Sequence, residues 1–133
     1  RAEEMIVSTI ICTALGGALG ALIRWMVTSV SDRYLGKFAW GILAVNLTGC
    51  AAAGAILALP GFAESPSTPI NVFLVTGLLG GLTTWSSLAT SSISGMEGKE
   101  EGGFRRGLLL FLCNIAICPP GFVLGLILTE RLV

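Results

Sequence analysis

Histidine is missing from this chain of 133 residues, and charge is scarce: 8 Lys/Arg and 8 Asp/Glu make up only 12%. The lack of histidine removes the commonest general base and the commonest metal ligand. Soluble domains carry about 25% charged residues, so the composition argues against a soluble enzyme. The formal net charge is zero, which leaves no basic field to attract phosphates, and no nucleic-acid partner is expected. No CxxC occurs. Cys12, Cys50, Cys113 and Cys118 all lie in apolar stretches and read as small, soft packing residues rather than a metal cluster.

What is present is hydrophobic, 53% of the residues. It gathers into four stretches, at about 5–24, 39–59, 70–93 and 107–128. Each is long enough to cross a ~30 Å hydrocarbon core as a helix rising ~1.5 Å per residue. A signal peptide accounts for the first stretch at most, and no clear small-residue cleavage site follows it. The pattern predicts an all-α integral membrane protein, one four-helix domain over 1–133, multi-pass in the cell membrane. The connectors are short. Residues 24–38 hold Asp32, Arg33, Gly36 and Lys37 and read as interfacial. Residues 60–69 hold three prolines and Glu64 and read as a turn. Residues 95–106 hold Glu97, Lys99, Glu100, Glu101, Arg105 and Arg106 among four glycines and read as a polar loop. Arg1 is not an initiator residue, so Met5 is the expected native start.

Glycine is abundant, with 18 residues. Gly16/Gly20, Gly77/Gly81 and Gly121/Gly125 form three GxxxG pairs, and Gly17, Gly49 and Gly54 add to them. In lipid, such residues let helix backbones approach closely, so dense packing and oligomerisation are expected. The third span contains Gly80-Gly81 followed by Thr83, Thr84, Ser86, Ser87, Thr90, Ser91 and Ser92. A glycine pair weakens a helix by about 1 kcal/mol per residue relative to alanine. This span is expected to unwind at the midplane, its freed backbone groups lining a cavity or holding an ion. The alternative is an intact helix whose hydroxyls bond back one turn. Asn46 and Asn114 lie within the second and fourth spans, as interhelical glue or as pathway groups. No Asp, Glu, Lys or Arg lies within a span core. Proton-coupled exporters rely on a titratable intramembrane group. Neutral donors instead replace the hydration shell of a small anion without trapping it, which favours passive passage.

Three motifs carry a family resemblance. They are Gly16-Gly17-Ala18-Leu19-Gly20-Ala21-Leu22-Ile23-Arg24-Trp25, Gly41-Ile42-Leu43-Ala44-Val45-Asn46-Leu47-Thr48-Gly49, and Gly77-Leu78-Leu79-Gly80-Gly81-Leu82-Thr83-Thr84-Trp85-Ser86-Ser87-Leu88. They resemble the GGxxGAxxR, GTLxVNxxG and GxxGGxTTFSTF motifs of the Fluc (CrcB) fluoride channel family, in the same order and over nearly the whole chain. The resemblance implies an antiparallel, dual-topology dimer of four-helix subunits with the third helix broken at the midplane. It implies a structural Na⁺ on the dimer axis, held by carbonyls that by position belong to Gly80 and Thr83. It implies a fluoride pore bordered by Asn46, Thr84, Trp85, Ser86, Ser87, Leu88 and Asn114, with Arg24 at a pore mouth. Departures from the family pattern are Trp85 and Leu88 at the two Phe positions, Ile42 at the Thr of GTLxVN, and Ser91 where many members carry Glu. A tyrosine common in the family's fourth helix also has no counterpart.

The expected function is therefore that of a passive fluoride channel subunit exporting cytoplasmic fluoride. Alternatives are a non-conducting structural subunit of a heterodimeric channel, and a small four-helix multidrug exporter, which lacks its membrane Glu here. Orientation adds one expectation. Arg24, Arg33, Lys37, Lys99, Arg105 and Arg106 fall on the side of the first and third connectors, against Arg1 and Arg131 on the other. This Lys/Arg bias sets one orientation, with the connectors cytoplasmic. It favours a hetero-oligomer with a related subunit of opposite orientation over a homodimer.

Overall fold

The computed structural model describes residues 1–36, 38–62, 65, 67–97 and 103–133. Among these there is no strand, and four helical segments are long and apolar enough to cross a membrane: Glu3–Tyr34, Trp40–Leu57, Pro69–Ser94 and Gly103–Leu132. The expected connector residues Lys37, Glu64, Lys99, Glu100 and Glu101 lie outside the described residues.

Helix α1 (Ala2–Tyr34) is longer than its expected span. Arg24 therefore sits within a helix rather than opening a connector. The helix continues because Trp25, Met26, Val27 and Val30 keep it apolar, and nothing breaks it before Gly36, whose φ is +82°. The Thr28 hydroxyl donates back to the Arg24 carbonyl at 2.9 Å, inside the same helix. Helix α2 (Trp40–Leu57) follows. The third span is composite. A first turn, α3 (Pro69–Asn71), has Pro69 at its start, where the missing N–H costs nothing. A π-helical stretch (Val72–Leu79) and a last turn, α4 (Gly80–Leu82), continue it. After a break, α5 (Trp85–Glu97) completes the span. Helix α6 (Gly103–Leu132) runs through Pro119 and Pro120. Prolines lack an N–H, so the carbonyls of Ile115 and Ala116 lose their helical donors there.

Two glycine-lined seams hold the bundle together. A Cβ on Gly16 would lie 2.9 Å from the Gly77 Cα, and one on Gly20 would lie 3.0 Å from the Gly81 carbonyl carbon. The first two GxxxG pairs are thus each other's partners, joining α1 to the first half of the third span. The third pair joins α6 to α2: a Cβ on Gly121 would meet the Leu47 side chain at 2.6 Å, and one on Gly125 the Ala51 Cα at 3.2 Å. Close backbone contact of this kind replaces hydrophobic burial as the packing force in lipid. The buried core is correspondingly small, with Ile42, Leu43, Leu88 and Leu110 at its centre. Large apolar side chains such as Ile10, Leu15, Met26, Val123 and Leu128 stand exposed, as a bilayer solvent requires.

The break falls at the Thr83-Thr84 end of the expected 80–84 stretch, and the glycine pair itself stays helical. Gly80 is helical, at φ −63° and ψ −37°, and the chain turns extended at Thr83, at φ −76° and ψ 149°. The pair stays helical because it is needed for contact. A Cβ on Gly81 would run into the Gly17 carbonyl oxygen, whereas one on Gly80 meets nothing closer than the Val75 carbonyl oxygen at 3.8 Å.

Candidate functional site

The break is held by one side chain. Asn46, buried on α2, accepts the Thr84 backbone N–H on Oδ1 at 2.9 Å. Its Nδ2 donates to the Thr84 carbonyl at 3.3 Å and to Asn114 Oδ1 on α6 at 2.8 Å. The buried Asn114 in turn donates from Nδ2 to the Leu110 carbonyl at 2.9 Å. This chain orients both amides. The Leu110 carbonyl only accepts and the Thr84 N–H only donates, so neither amide can be reversed without facing like against like. Three spans thus meet in one buried polar network. Asn46 and Asn114 act as interhelical glue here, and both Nδ2 hydrogens of Asn46 are engaged.

The same network frees backbone groups around the break. The Thr84 N–H goes to Asn46 rather than to the Gly80 carbonyl four residues back. The Ser87 N–H goes to Thr84 Oγ1 at 3.1 Å rather than to the Thr83 carbonyl. Thr84 is therefore the N-cap of α5, in a role that suits threonine. Among the described residues, no backbone N–H bonds to the carbonyls of Gly80, Gly81, Leu82 or Thr83. Among the described residues, the N–H groups of Trp85 and Ser86 likewise find no backbone acceptor before the break. The hydroxyls form a relay: Thr84 Oγ1 lies 3.2 Å from Ser86 Oγ and donates to Ser87 Oγ at 3.1 Å.

A cleft of about 330 Å³ opens beside this network. Asn46, Thr83, Thr84, Trp85, Leu88 and Asn114 line it, and every lining residue is uncharged. Most of the residues singled out in the sequence are thereby brought together. Ser86 and Ser87 sit behind Thr84 in the relay. Gly80 is exposed at the surface of the subunit. Arg24 is half-buried on α1 and is not among the lining residues. Leu88 touches the cleft but is only 2% exposed, packed with Ile42, Leu43 and Leu110. Trp85 is 64% exposed, its ring facing out of the subunit.

Two features were not legible in the sequence. The Phe111 ring on α6 packs edge-on to Trp85, with centroids 5.8 Å apart and planes at 64°, and it also rests against the core around Leu88. It sits three residues before Asn114 on its own helix, a spacing that places two side chains on one face and was the only available hint. Cys50 and Cys118 line the cleft too, one helical turn beyond Asn46 and Asn114.

Comparison with known proteins follows the same lines. The model of the CrcB-like protein, Camphor Resistance (CrcB) family matches residues 11–126. A protein of Rhizobium johnstonii named fluoride-specific ion channel FluC is 38% identical over 123 residues, 92% of this chain and 96% of its own length. Proteins of the same name from Agrobacterium fabrum and Paracoccus denitrificans are 34% and 39% identical over 120 and 118 residues. Those matches cover 90% and 89% of this chain, and 94% and 91% of theirs.

Proposed function

The chain belongs to the CrcB family, and from that membership we propose that it is a subunit of a passive fluoride channel, releasing cytoplasmic fluoride across the plasma membrane. It is not an enzyme. The observation that carries this reading is the cleft beside Thr84: it lies near the middle of the third span, at the N-terminus of α5, and its polar groups are all neutral. A helix N-terminus favours an anion through its unpaired N–H groups and its dipole. The absence of any cationic side chain from the lining keeps binding weak enough for release. No carboxylate lines the cleft, so proton coupling has no carrier there.

Within this reading, the anion passes Thr84, the N–H groups of Trp85 and Ser86, and the Ser87 hydroxyl. Ser87 receives the Thr84 hydrogen, which leaves its own O–H to donate. Asn46 joins by releasing its longer bond, the 3.3 Å contact to the Thr84 carbonyl, since long hydrogen bonds are the weaker ones. Asn114 holds Asn46 by its 2.8 Å bond. Leu88 backs the cleft with apolar bulk. Trp85 offers an electropositive ring edge and an indole N–H, and Arg24 raises the anion concentration at a mouth. The Gly80 and Thr83 carbonyls fit a hard monovalent cation such as Na⁺, because the Asn46 and Thr84 bonds strip both of their helical donors. Gly80 also lies on the subunit surface, where a second, antiparallel subunit would complete such a site. That subunit is a related chain of opposite orientation or a second copy.

Fluoride efflux from liposomes tests the reading, with the chain alone and with a related subunit. Fluoride is expected to leave without an imposed proton gradient, while chloride stays. Flux that tracks a proton gradient, or no flux from any combination, overturns it. C-terminal reporter fusions test the orientation: signal from one side supports a hetero-oligomer, and equal signals from both sides support a homodimer.

A further inference from the structure

We propose that Cys50 and Cys118 form a two-coordinate site for a soft d¹⁰ cation, with Hg²⁺ the best-matched member of that class. The packing of α2 against α6 places Cys50 and Cys118 at one level of the helix pair. Asn46 contacts Asn114, and Gly54 packs on Phe122. Both pairs have the same offset along the chain, and Cys50/Cys118 lies midway between them in the same register. Both cysteines line one cleft, and both are free. Cys118 is buried, and its thiol points to Asn114 Oδ1 at 3.8 Å. No cluster of three or more His, Cys, Asp or Glu exists among the described residues. Zn²⁺ takes four ligands in a closed site, so two thiols alone do not suit it.

Soft thiolates select soft ions, and d¹⁰ ions of this kind accept a pair of opposed sulfurs. Charge then decides within the class. On binding from HgCl₂, both S–H bonds and both Hg–Cl bonds break, two protons and two chlorides leave to water and two S–Hg bonds form, with no electron transferred. The product is neutral. A univalent ion between two thiolates would leave a net negative charge inside the bilayer, which is costly. Binding also removes the Cys118 hydrogen bond to Asn114 and ties α2 to α6, one turn from the Asn46–Asn114 pair.

The test uses the full chain in liposomes, titrated with HgCl₂ and followed by thiol counting and by mercury–thiolate ultraviolet absorption. Uptake of about one Hg²⁺ per chain with loss of two thiols is expected. Cys50→Ser and Cys118→Ser should each weaken uptake at least roughly a hundredfold, while the Cys12→Ser/Cys113→Ser double variant keeps it. A single symmetric peak in size-exclusion chromatography identifies the folded variants. If either serine variant is misfolded, mass mapping of mercury on the wild-type chain decides between the cysteines. Unchanged uptake in the Cys50 or Cys118 variant, or uptake lost in the double variant, overturns the site. The position in the cleft rests on the channel reading only for its effect on flux. Absent efflux before HgCl₂ is added counts against that reading, and the thiol and absorption readouts still decide the site.

Discussion

The Asn46 side chain stands in for a missing stretch of backbone opposite Thr84. One amide takes both main-chain groups of one residue: the Thr84 N–H reaches Oδ1 at 2.9 Å, and the Thr84 carbonyl receives Nδ2 at 3.3 Å. A helix can open inside a membrane only where its freed groups are met in this way. Half of the break is thus satisfied by α2, and the carbonyls of Gly80 to Thr83 are left for other partners.

Asn46→Asp is expected to abolish fluoride efflux. A carboxylate still accepts the Thr84 N–H, but it faces the Thr84 carbonyl and Asn114 Oδ1 with no hydrogen to give. It also repels the anion. Asn46→Ala should destabilise the subunit by about 1–3 kcal/mol, since it leaves a buried N–H unpaired. Efflux assays and denaturant melts check the two effects separately. Wild-type flux through a pore carrying Asn46→Asp would remove Asn46 from the path.

The two central glycines should behave differently. Gly81→Ala drives a Cβ into the Gly17 carbonyl, and overpacking of this kind costs about 1–3 kcal/mol. Gly80→Ala makes only an ordinary contact with the Val75 carbonyl oxygen at 3.8 Å and should leave the subunit's folding unchanged. Gly80→Val should impair assembly or Na⁺ binding while a single subunit still folds. Thermal unfolding of the separate chain and the oligomeric state in detergent give the comparison. Equal loss of subunit stability for Gly80→Ala and Gly81→Ala would contradict the packing described.

Thr84→Val removes the cap of α5 and the start of the hydroxyl relay. Losing such a cap costs about 0.5–2 kcal/mol. Thr84→Ser keeps the oxygen and should preserve most of both stability and flux. Indistinguishable behaviour of the two variants would show that the cap does not matter.

Trp85→Ala should cut efflux far more than Trp85→Phe, because phenylalanine retains the electropositive edge. Phe111→Ala should weaken flux as well, by freeing the Trp85 ring from its edge-on neighbour at 5.8 Å. Mild and equal effects of both Trp85 changes would mark the ring as a packing residue.

The sequence alone determined the solvent and the layout of this protein. Four apolar stretches cannot all be hidden in a chain of 133 residues, so they must face lipid, and local hydropathy suffices to say so. The order of the glycine motifs and the lack of charge within the spans likewise pointed to close-packed helices and a neutral pathway. The tertiary structure decided what depends on which residues meet. It paired the first two glycine motifs with each other, since only the fold shows that Gly16 faces Gly77. It confined the break to the Thr83-Thr84 end of the 80–84 stretch, because contact with Gly17 keeps Gly81 helical while Asn46 captures the Thr84 N–H. It also extended α1 past Arg24, brought Phe111 to Trp85 and set Cys50 and Cys118 in one cleft. Each of these outcomes rests on competition between a local backbone preference and a partner distant in the chain, and only the folded bundle brings that partner within reach.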